Sequence, residues 1–424
     1  MRKKTITSLF AVLLLSFTTA VSGCTMRHHK SAKDDPMPSY SSEISQQNSP
    51  GASGGKVSSD TSVQSAQQSE EDDDNPVPTA WRDNGIFSPY YEKAYLKMKE
   101  MSTEEKIGQV LLARCPEENY YETAEEYHLG GYMLFYNNYE GKNKDDVIRF
   151  TRTLTENRDI PMIIASDEEG GLVNRITGIT ELENREFLSP RELFDQGGLD
   201  AIKEDAVEKS LLLNDLGINT NLAPVCDICT GEDKFMYERS LGQSATVTSA
   251  FVSDFTHVSQ SNGVSVTLKH FPGYGNNADT HTGIAIDKRP YETFLSTDFL
   301  PFKAGIDSGA HVVMVSHNIV ECMDKDQPAS LSPEVHRILR EELGFTGIVI
   351  TDDLEMGAIK KYSANDSAAV EALLAGNDMI CMTNIEDSYQ DIFSAVSSGR
   401  IEMDDLEHSV MRILAWKYAK GLLT

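Results

Sequence analysis

The chain has 424 residues, of which 40% are hydrophobic, so it is long enough and apolar enough to fold around a large core. It carries 38 Lys and Arg residues against 66 Asp and Glu residues, which gives a formal net charge of -28 at pH 7. A surface this acidic repels nucleic acid and anionic membrane surfaces, and no basic stripe in the sequence reverses that repulsion. We therefore expect no nucleic-acid partner.

The N-terminus carries the pattern of an export signal. Basic residues occupy positions 2–4, and an apolar run follows at 9–21, which is too short to span a bilayer comfortably. The run ends in Val-Ser-Gly-Cys at 21–24, which resembles a bacterial lipobox. Because the cysteine of such signals is acylated, we predict a signal peptide at 1–24 and a protein anchored by lipid at Cys24, outside the cytoplasm. The alternative is an ordinary cleaved signal with an incidental cysteine.

The composition changes after this cysteine. From residue 25 to residue 79, Ser, Gln, Gly, Pro and Asp dominate, apolar residues are isolated, and an acidic run lies at 70–74. Such a segment buries too little apolar surface to offset the entropy lost on ordering, so we expect a disordered linker. It would act as a spacer between the membrane and a folded part at 80–424.

Short apolar runs alternate with stretches of helical period in the remaining sequence. Runs rich in Val, Ile, Leu and Met suit strands that are buried on both faces, as in a parallel sheet. The predicted strands are Ile107–Ala113, Gly131–Phe135, Pro161–Ala165, Thr220–Val225, Val264–Leu268, His311–Val315, Gly347–Ile350 and Asp378–Met382. The predicted helices include Asp145–Asn157, Leu199–Leu216 and Ser332–Leu343. Eight βα units indicate a closed TIM-type (β/α)8 barrel as a single α/β catalytic domain, although the first run could equally finish a helix that starts at Thr103.

Polar residues follow these runs. In a β/α barrel the C-terminal ends of the strands meet at one rim, where active sites are built, so we expect these side chains to converge. They are Arg114, Asn137, Asp167, Asp227, Lys269, His270, His317, Asn318, Asp352, Asp353, Thr383 and Asn384.

Two of the polar segments contain the groups needed to cleave a glycosidic bond. That reaction uses one carboxylate to attack the anomeric carbon or activate water, and one proton donor for the leaving oxygen. Asp352 leaves a buried strand and is rigidly held, which suits a nucleophile. Asp279 lies two residues before His281 in a loop, where it can accept the imidazole N–H and fix the tautomer. The ordinary pKa of histidine, about 6.5, suits a group that gives a proton and takes one back.

Further polar residues are candidates for binding sugar hydroxyls. Lys269, His270 and Arg239 offer donors, and Asp167 offers an acceptor beside a glycine pair at 170–171 that permits a tight turn. His317, at another strand end, is as readily a hydrogen-bonded core residue as a ligand contact.

The motifs resemble glycoside hydrolase family 3, and in particular its barrel-only bacterial β-N-acetylglucosaminidases (β-hexosaminidases). The resemblance covers nearly all of 101–422, and Lys-His-Phe-Pro-Gly at 269–273 is its most distinctive part. It implies that Asp352 is the nucleophile and that Asp353 is structural. Asp-Thr-His at 279–281 resembles the Asp-Ser-His dyad of the N-acetylglucosaminidase branch, in which the histidine is the acid/base. Other branches take an acid/base Glu from a second domain, for which the chain leaves no room after its eighth strand.

The resemblance also covers the sugar-contacting positions, which Asp167, Arg175, Arg239, Lys269 and His270 match. Three positions depart from the family pattern. They are Tyr274 where His is common, Leu172 where Arg is common, and Glu168 where Gln is usual.

These features together predict a retaining, exo-acting β-N-acetylglucosaminidase that forms a covalent glycosyl-Asp intermediate. A lipid anchor and a spacer favour peptidoglycan fragments as the carbohydrate substrate. One alternative is a family 3 β-glucosidase or β-xylosidase, and another is a phosphorylase, since a neutral imidazole repels phosphate less than a carboxylate does. A third, non-enzymatic alternative is a lipoprotein that binds cell wall without turnover.

The cysteine pattern indicates neither a metal site nor a redox site. Cys226 and Cys229 have no second pair at zinc-site spacing and follow a strand-like run rather than opening a helix. They could form a disulfide in an oxidising compartment. We expect no metal or organic cofactor, and a monomer.

Overall fold

The computed structural model describes residues 75–424 apart from 157, 178, 180, 181, 183, 184, 278, 281, 282, 357, 358 and 360–366. The predicted signal peptide with Cys24, the linker up to residue 74, and the predicted acid/base His281 lie outside the described residues. The other predicted site residues are all described.

Eight parallel strands form a barrel. The strands of the described residues are β1 Leu111–Arg114, β2 Gly131–Leu134, β3 Ile163–Ser166, β4 Thr220–Asn221, β5 Ser265–Phe271, β6 Ile286–Asp287, β7 Val312–Val315, β8 Ile319–Val320, β9 Ile348–Thr351 and β10 Ile380–Met382. The barrel order is β10-β1-β2-β3-β4-β5-β7-β9, while β6 and β8 pair separately. A parallel bridge between Ile350 and Met379, with a 2.8 Å bond from Asp378 N to Val349 O, closes the barrel. The predicted (β/α)8 fold is confirmed.

Helices surround the strands. The α-helices are α1 Tyr91–Glu100, α2 Thr103–Gln109, α3 Tyr120–Glu126, α4 Tyr136–Tyr139, α5 Lys144–Thr155, α6 Pro190–Asp215, α7 Ala245–Ser261, α8 Tyr291–Thr293, α9 Phe299–Asp307, α10 Pro333–Arg337, α11 Ala368–Ala375, α12 Ile385–Ser397 and α13 Met403–Ala419. π-Helical turns at Phe294–Asp298 and Ile338–Glu342 continue α8 and α10. Among the described residues, none of the helices has the length and apolar character required to cross a membrane.

The first predicted strand was placed too early. The run from Ile107 begins inside α2, and β1 starts only at Leu111. A capping box explains the longer helix, because Ser102 Oγ accepts from Glu105 N (3.2 Å) and Glu105 Oε2 accepts from Ser102 N (2.7 Å). This reciprocal cap satisfies two backbone N–H groups that would otherwise have no partner at the start of the helix. It therefore favours a helix where the apolar pattern alone suggested a strand.

The folded part also begins earlier than residue 80. Val77 is 1% exposed and belongs to the main apolar cluster of the barrel. Arg82 Nε donates to Val77 O at 2.7 Å, which holds this segment in place. An isolated valine in a polar stretch gave no periodic signal from which this packing could have been predicted.

A buried charged cluster lies beneath the barrel, where β10 begins. Asp378 is 0% exposed, and its carboxylate binds Arg340 Nη2 at 2.6 Å, Arg412 Nη1, and Val349 N at 2.8 Å. Burial alone would raise the pKa of Asp378, but the two guanidinium groups outweigh it and lower the pKa below its ordinary value. The cluster ties the final strand to its neighbours at the end opposite the strand C-termini.

Candidate active site

A cavity of about 460 Å³ opens at the C-terminal ends of the barrel strands. Residues from several strand ends line it, as expected for an active site in this fold. Six of the predicted site residues meet there. They are Asp167, Arg175, Arg239, Lys269, His270 and Asp352.

Lys269 lies at the centre of the polar floor. Its ammonium group contacts Asp167 Oδ1 at 2.7 Å and Glu169 Oε1 at 2.6 Å, while its side chain is 2% exposed. Burial would lower the pKa of Lys269, but the two carboxylates reverse this and raise it. Asp167 also accepts from Arg175 Nη2 at 3.1 Å. Its pKa, which burial would raise, is held below the ordinary value by Lys269 and Arg175.

Glu169 is a site residue that the sequence interpretation did not single out. Arg239 binds it with two parallel bonds, Nε to Oε2 at 2.9 Å and Nη2 to Oε1 at 2.6 Å. The arginine and the lysine together outweigh the effect of burial and lower the pKa of Glu169. The spacing gave no signal for this residue, because its role depends on pairing with Arg239 and Lys269, which lie far along the chain.

His270 is fixed by a second unassigned residue, Asp227. Asp227 Oδ2 accepts from His270 N (3.1 Å) and lies 2.7 Å from His270 Nδ1. On the other edge of the ring, Arg239 Nη2 lies 3.3 Å from Nε2. Because a guanidinium can only donate, Nε2 accepts and Nδ1 carries the proton that bonds to Asp227. The ring is therefore held in a single orientation, with Nδ1 toward Asp227 and Nε2 toward Arg239.

The turn after β3 has one residue that points away from the cavity. Glu168 is 0% exposed and binds Arg175 N (3.0 Å), Ile176 N (3.1 Å) and Thr177 Oγ1 (2.8 Å). Its carboxylate thereby ties the loop back to the turn. Gly170 makes the turn possible, since its φ is +99° and a Cβ there would lie 2.1 Å from Leu188 O.

Asp352 follows β9 and faces the cavity. Its backbone N donates to Val315 O on β7 (3.0 Å), and its Oδ1 accepts from Asp353 N (2.9 Å). Asp353 also lines the cavity, but its Oδ1 accepts from Glu355 N in its own loop at 3.0 Å. Burial, outweighing that bond, raises the pKa of Asp353. The two adjacent aspartates thus have different surroundings.

Of the two alternatives expected for His317, the structure agrees with the hydrogen-bonded core residue. The residue is 0% exposed, its Nδ1 lies 2.7 Å from Ser330 Oγ, and its Nε2 lies 3.0 Å from Asp353 O. Since a carbonyl oxygen can only accept, Nε2 carries the proton and donates. His317 therefore supports the Asp352–Asp353 turn and does not line the cavity.

The loop that carries the predicted dyad is described only in part. Asp279 is partly buried, and Thr280 is 0% exposed. Thr280 N donates to Tyr274 Oη at 3.2 Å, and the two hydroxyl groups of these residues are also hydrogen-bonded. Tyr274, one of the three departures from the family pattern, is itself only 1% exposed, unlike Leu172, which is another. Leu172 is 74% exposed at the rim of the cavity.

Cys226 and Cys229 are buried as separate thiols and form no disulfide in the structure. Cys229 Sγ lies 3.4 Å from Asn276 Oδ1, whereas Cys226 Sγ lies 3.8 Å from Pro224 O. Burial raises the pKa of both thiols, which disfavours the thiolate that metal binding requires. In the part of the chain that the structure describes, no group of three or more potential ligands could hold a metal ion.

A parallel barrel that gathers acids, cations and an oriented histidine around one open cavity is typical of enzymes that act on small polar substrates. The sequence profile of the family described as "Glycosyl hydrolase family 3 N terminal domain" matches residues 102–416. The chain therefore belongs to glycosyl hydrolase family 3 and is a glycoside hydrolase, which confirms the family resemblance.

Several named relatives are similar to most of the barrel. A Beta-hexosaminidase of Nitrosomonas eutropha is 32% identical over 286 residues, which are 65% of this chain and 81% of that protein. The structure of a glycoside hydrolase family 3 beta-N-acetylglucosaminidase from Paenibacillus matches with a TM-score of 0.70 at 30% identity, over 76% of this chain and 63% of that longer chain. Beta-N-acetylhexosaminidase from Beutenbergia cavernae matches with a TM-score of 0.65 at 25% identity, over 76% of this chain and 99% of that one.

Proposed function

We propose that this protein is a retaining, exo-acting β-N-acetylglucosaminidase. The observation that carries the proposal is the convergence of Asp352 with Asp167, Arg239, Lys269 and His270 on one cavity. The specificity for N-acetylglucosamine is supported by the relatives named beta-hexosaminidase and beta-N-acetylglucosaminidase. A cavity of about 460 Å³ is of the size that holds a small ligand, which fits removal of a terminal sugar.

The polar floor suits recognition of sugar hydroxyls. Asp167 keeps 15% of its side chain exposed, whereas Glu169 behind it keeps 1%. Asp167 is therefore the carboxylate that can accept from a sugar, while Glu169 holds Lys269 and Arg239 in place. His270, oriented by its contact with Asp227, adds a fixed polar contact.

In the proposed first step, Asp352 attacks the anomeric carbon as the bond to the leaving oxygen breaks. His281 gives its proton to that oxygen, and Asp279 accepts the other imidazole N–H and so fixes the ring. The products of this step are the released alcohol and a glycosyl ester of Asp352. In the second step His281 takes a proton from water, which attacks the anomeric carbon and frees Asp352 with net retention.

We also propose that the protein is exported, cleaved before Cys24 and held at the cell membrane by lipid, with residues 25–74 as a spacer. At that location the available polymer is cell wall, so the proposed natural substrates are peptidoglycan fragments with a terminal N-acetylglucosamine. We propose that it acts as a monomer.

Chromogenic β-glycosides test the reaction. The purified protein should hydrolyse the β-N-acetylglucosaminide and leave the matched β-glucoside nearly untouched, and Asp352→Ala should abolish turnover. A deoxyfluoro glycoside inactivator should label the peptide that contains Asp352. Hydrolysis of the glucoside alone, or label on any other residue, would contradict the proposal. Sugar 1-phosphate formed in phosphate buffer would instead identify a phosphorylase, and wall binding without any rate sensitive to Asp352→Ala would identify a non-catalytic binding protein.

A further inference from the structure

Tyr274 occupies a buried position between the sugar-binding wall and the loop of the proposed dyad. Its ring lies edge-on to the His270 ring with centroids 5.5 Å apart, and 5.9 Å from the Phe235 ring. Its backbone N donates to Asp227 Oδ1 at 2.6 Å. Asp227 therefore fixes two neighbours at once, the imidazole of His270 and the main chain of Tyr274.

The hydroxyl of Tyr274 reaches across to the dyad loop. It accepts from Thr280 N at 3.2 Å and is bonded to Thr280 Oγ1. Thr280 is 0% exposed, so water does not satisfy these groups in its place. Thr280 is also the single residue between Asp279 and His281. Its main chain and side chain are thus both held by one phenol.

We infer that Tyr274 is a positioning residue that holds the acid/base loop against the sugar-binding wall formed by His270 and Asp227. The proposed dyad is thereby held where it can reach the leaving oxygen of the bound sugar. The inference rests on the proposed function of Asp279 and His281. It assigns a role to a position at which this chain departs from the family pattern.

The surroundings of Tyr274 support this role. Burial is the largest cause that raises the pKa of the Tyr274 hydroxyl, and the charge of Asp352 raises it further. The hydroxyl therefore stays protonated and keeps a donor as well as an acceptor for Thr280. The effect of Asp352 on this pKa also means that the Tyr274 hydroxyl lies within electrostatic reach of the proposed nucleophile.

Tyr274→Phe keeps the ring and removes only the tether. A displacement of about 1 Å at a catalytic group can cost about a hundredfold in rate, and general acid catalysis supplies about 10²–10⁴-fold. We therefore expect kcat/KM for a β-N-acetylglucosaminide with a poor, sugar-like leaving group to fall by about tenfold to a hundredfold. A dinitrophenyl glycoside needs no proton on its leaving oxygen, so its kcat/KM should stay near the wild-type value.

Tyr132→Phe is the matched control. Tyr132 is also 0% exposed, and its hydroxyl donates to Tyr120 O at 2.9 Å on the outer side of β2. Tyr132→Phe should leave the ratio of the kcat/KM values for the two substrates unchanged. Its unfolding temperature measures how much stability is lost when a buried tyrosine hydroxyl is removed. Thr280→Val adds a second measurement, because its effect and that of Tyr274→Phe should be non-additive if the two side chains act as one unit.

The outcomes separate the inference from the proposed function. The inference would be overturned if Tyr274→Phe lowered kcat/KM equally for both leaving groups, or if it did not lower kcat/KM at all. Because His281 is the proposed acid, His281→Ala must lower kcat/KM selectively for the substrate with the poor leaving group. If it does and Tyr274→Phe does not, only the positioning role fails. If His281→Ala is unselective, the acid/base assignment fails and the inference fails with it.

Discussion

Two carboxylates on the floor of the cavity look alike in the sequence but have different physical tasks. Asp167 and Glu169 share Lys269, and each also binds its own guanidinium, from Arg175 and Arg239 respectively. Four of these five charged side chains are at most 15% exposed. Removing the partner of any of these four would leave an uncompensated buried charge, which destabilises the fold. Close pairing of opposite charges within the group lets a polar floor form at the C-terminal mouth of an apolar barrel.

Glu169→Gln should therefore weaken substrate binding without removing a group that touches the reacting atoms. The amide keeps the shape but leaves Lys269 and Arg239 to compete for the remaining acceptors, and breaking a buried charged pair costs about 2–5 kcal/mol. We expect KM to rise by about tenfold or more while kcat falls less. Steady-state kinetics on the chromogenic N-acetylglucosaminide measure both quantities.

Glu168→Gln is the control for this substitution. Glu168 is equally buried, but it binds two backbone N–H groups and Thr177 Oγ1, which a glutamine can satisfy with its oxygen and its amide. We expect KM to stay within about twofold of wild type for this variant, as for a substitution away from the site. A KM shift as large as that of Glu169→Gln would show that the effect comes from the loop and not from the cation pair.

At the scale of elements, the two ends of the strands have different roles. The C-terminal ends present the cavity, whereas the N-terminal end of β10 carries the Asp378 cluster beneath the barrel. Most of the barrel strands have only three or four residues, so a few residues separate the two ends of each. Stability and function are thus supplied by opposite ends of the same strands.

Asp378→Asn should destabilise the barrel and leave catalysis intact. Arg340 and Arg412 would lose their shared anion while they remain buried, a loss that costs about 3–5 kcal/mol. The expected result is a clear decrease in the denaturant midpoint, with kcat/KM unchanged at a temperature where the variant is folded. Arg337→Gln breaks only exposed pairs, with Glu334, Glu341 and Glu342, so its denaturant midpoint should stay close to the wild-type value. Equal losses in the two variants would contradict the proposed importance of the buried cluster.

The strands were predictable because a run of apolar residues reports burial on both faces. The first strand was placed too early because the capping box formed by Ser102 and Glu105 decided between helix and strand, and the pattern of apolar residues carries no information about caps. Asp352 and Lys269 were predicted at the cavity because each directly follows a strand. Glu169 was not singled out, and Asp227 was predicted at the rim without a role, because the importance of both lies in pairing with residues far along the chain, which spacing cannot reveal.

At the scale of the whole molecule, buried histidines make stability depend on pH well above the range of the carboxylates. Burial, with a smaller effect from Lys420, lowers the pKa of His311 to about 3. Burial also lowers the pKa of His336, whose Nδ1 lies 2.8 Å from Ser332 O. Both are neutral in the folded protein, while in the unfolded chain they bind protons below about pH 6.5. The unfolded state therefore binds more protons below that pH, so stability falls as pH decreases.

The expected unfolding free energy is level above about pH 7 and falls below about pH 6.5, by about 1.4 kcal/mol per pH unit for each such histidine. Asp167 and Asp378, whose pKa values are lowered, add to the loss only below about pH 4, where their unfolded forms become protonated. Denaturant titrations at a series of pH values measure the slope. His311→Gln should reduce the slope between about pH 6 and pH 4 by about one proton, whereas the same change at the exposed His257 on α7 should leave it unaltered. If stability began to fall only below about pH 4, the carboxylates alone would control acid unfolding. In that case the buried imidazoles would contribute no change in stability between about pH 6.5 and pH 4.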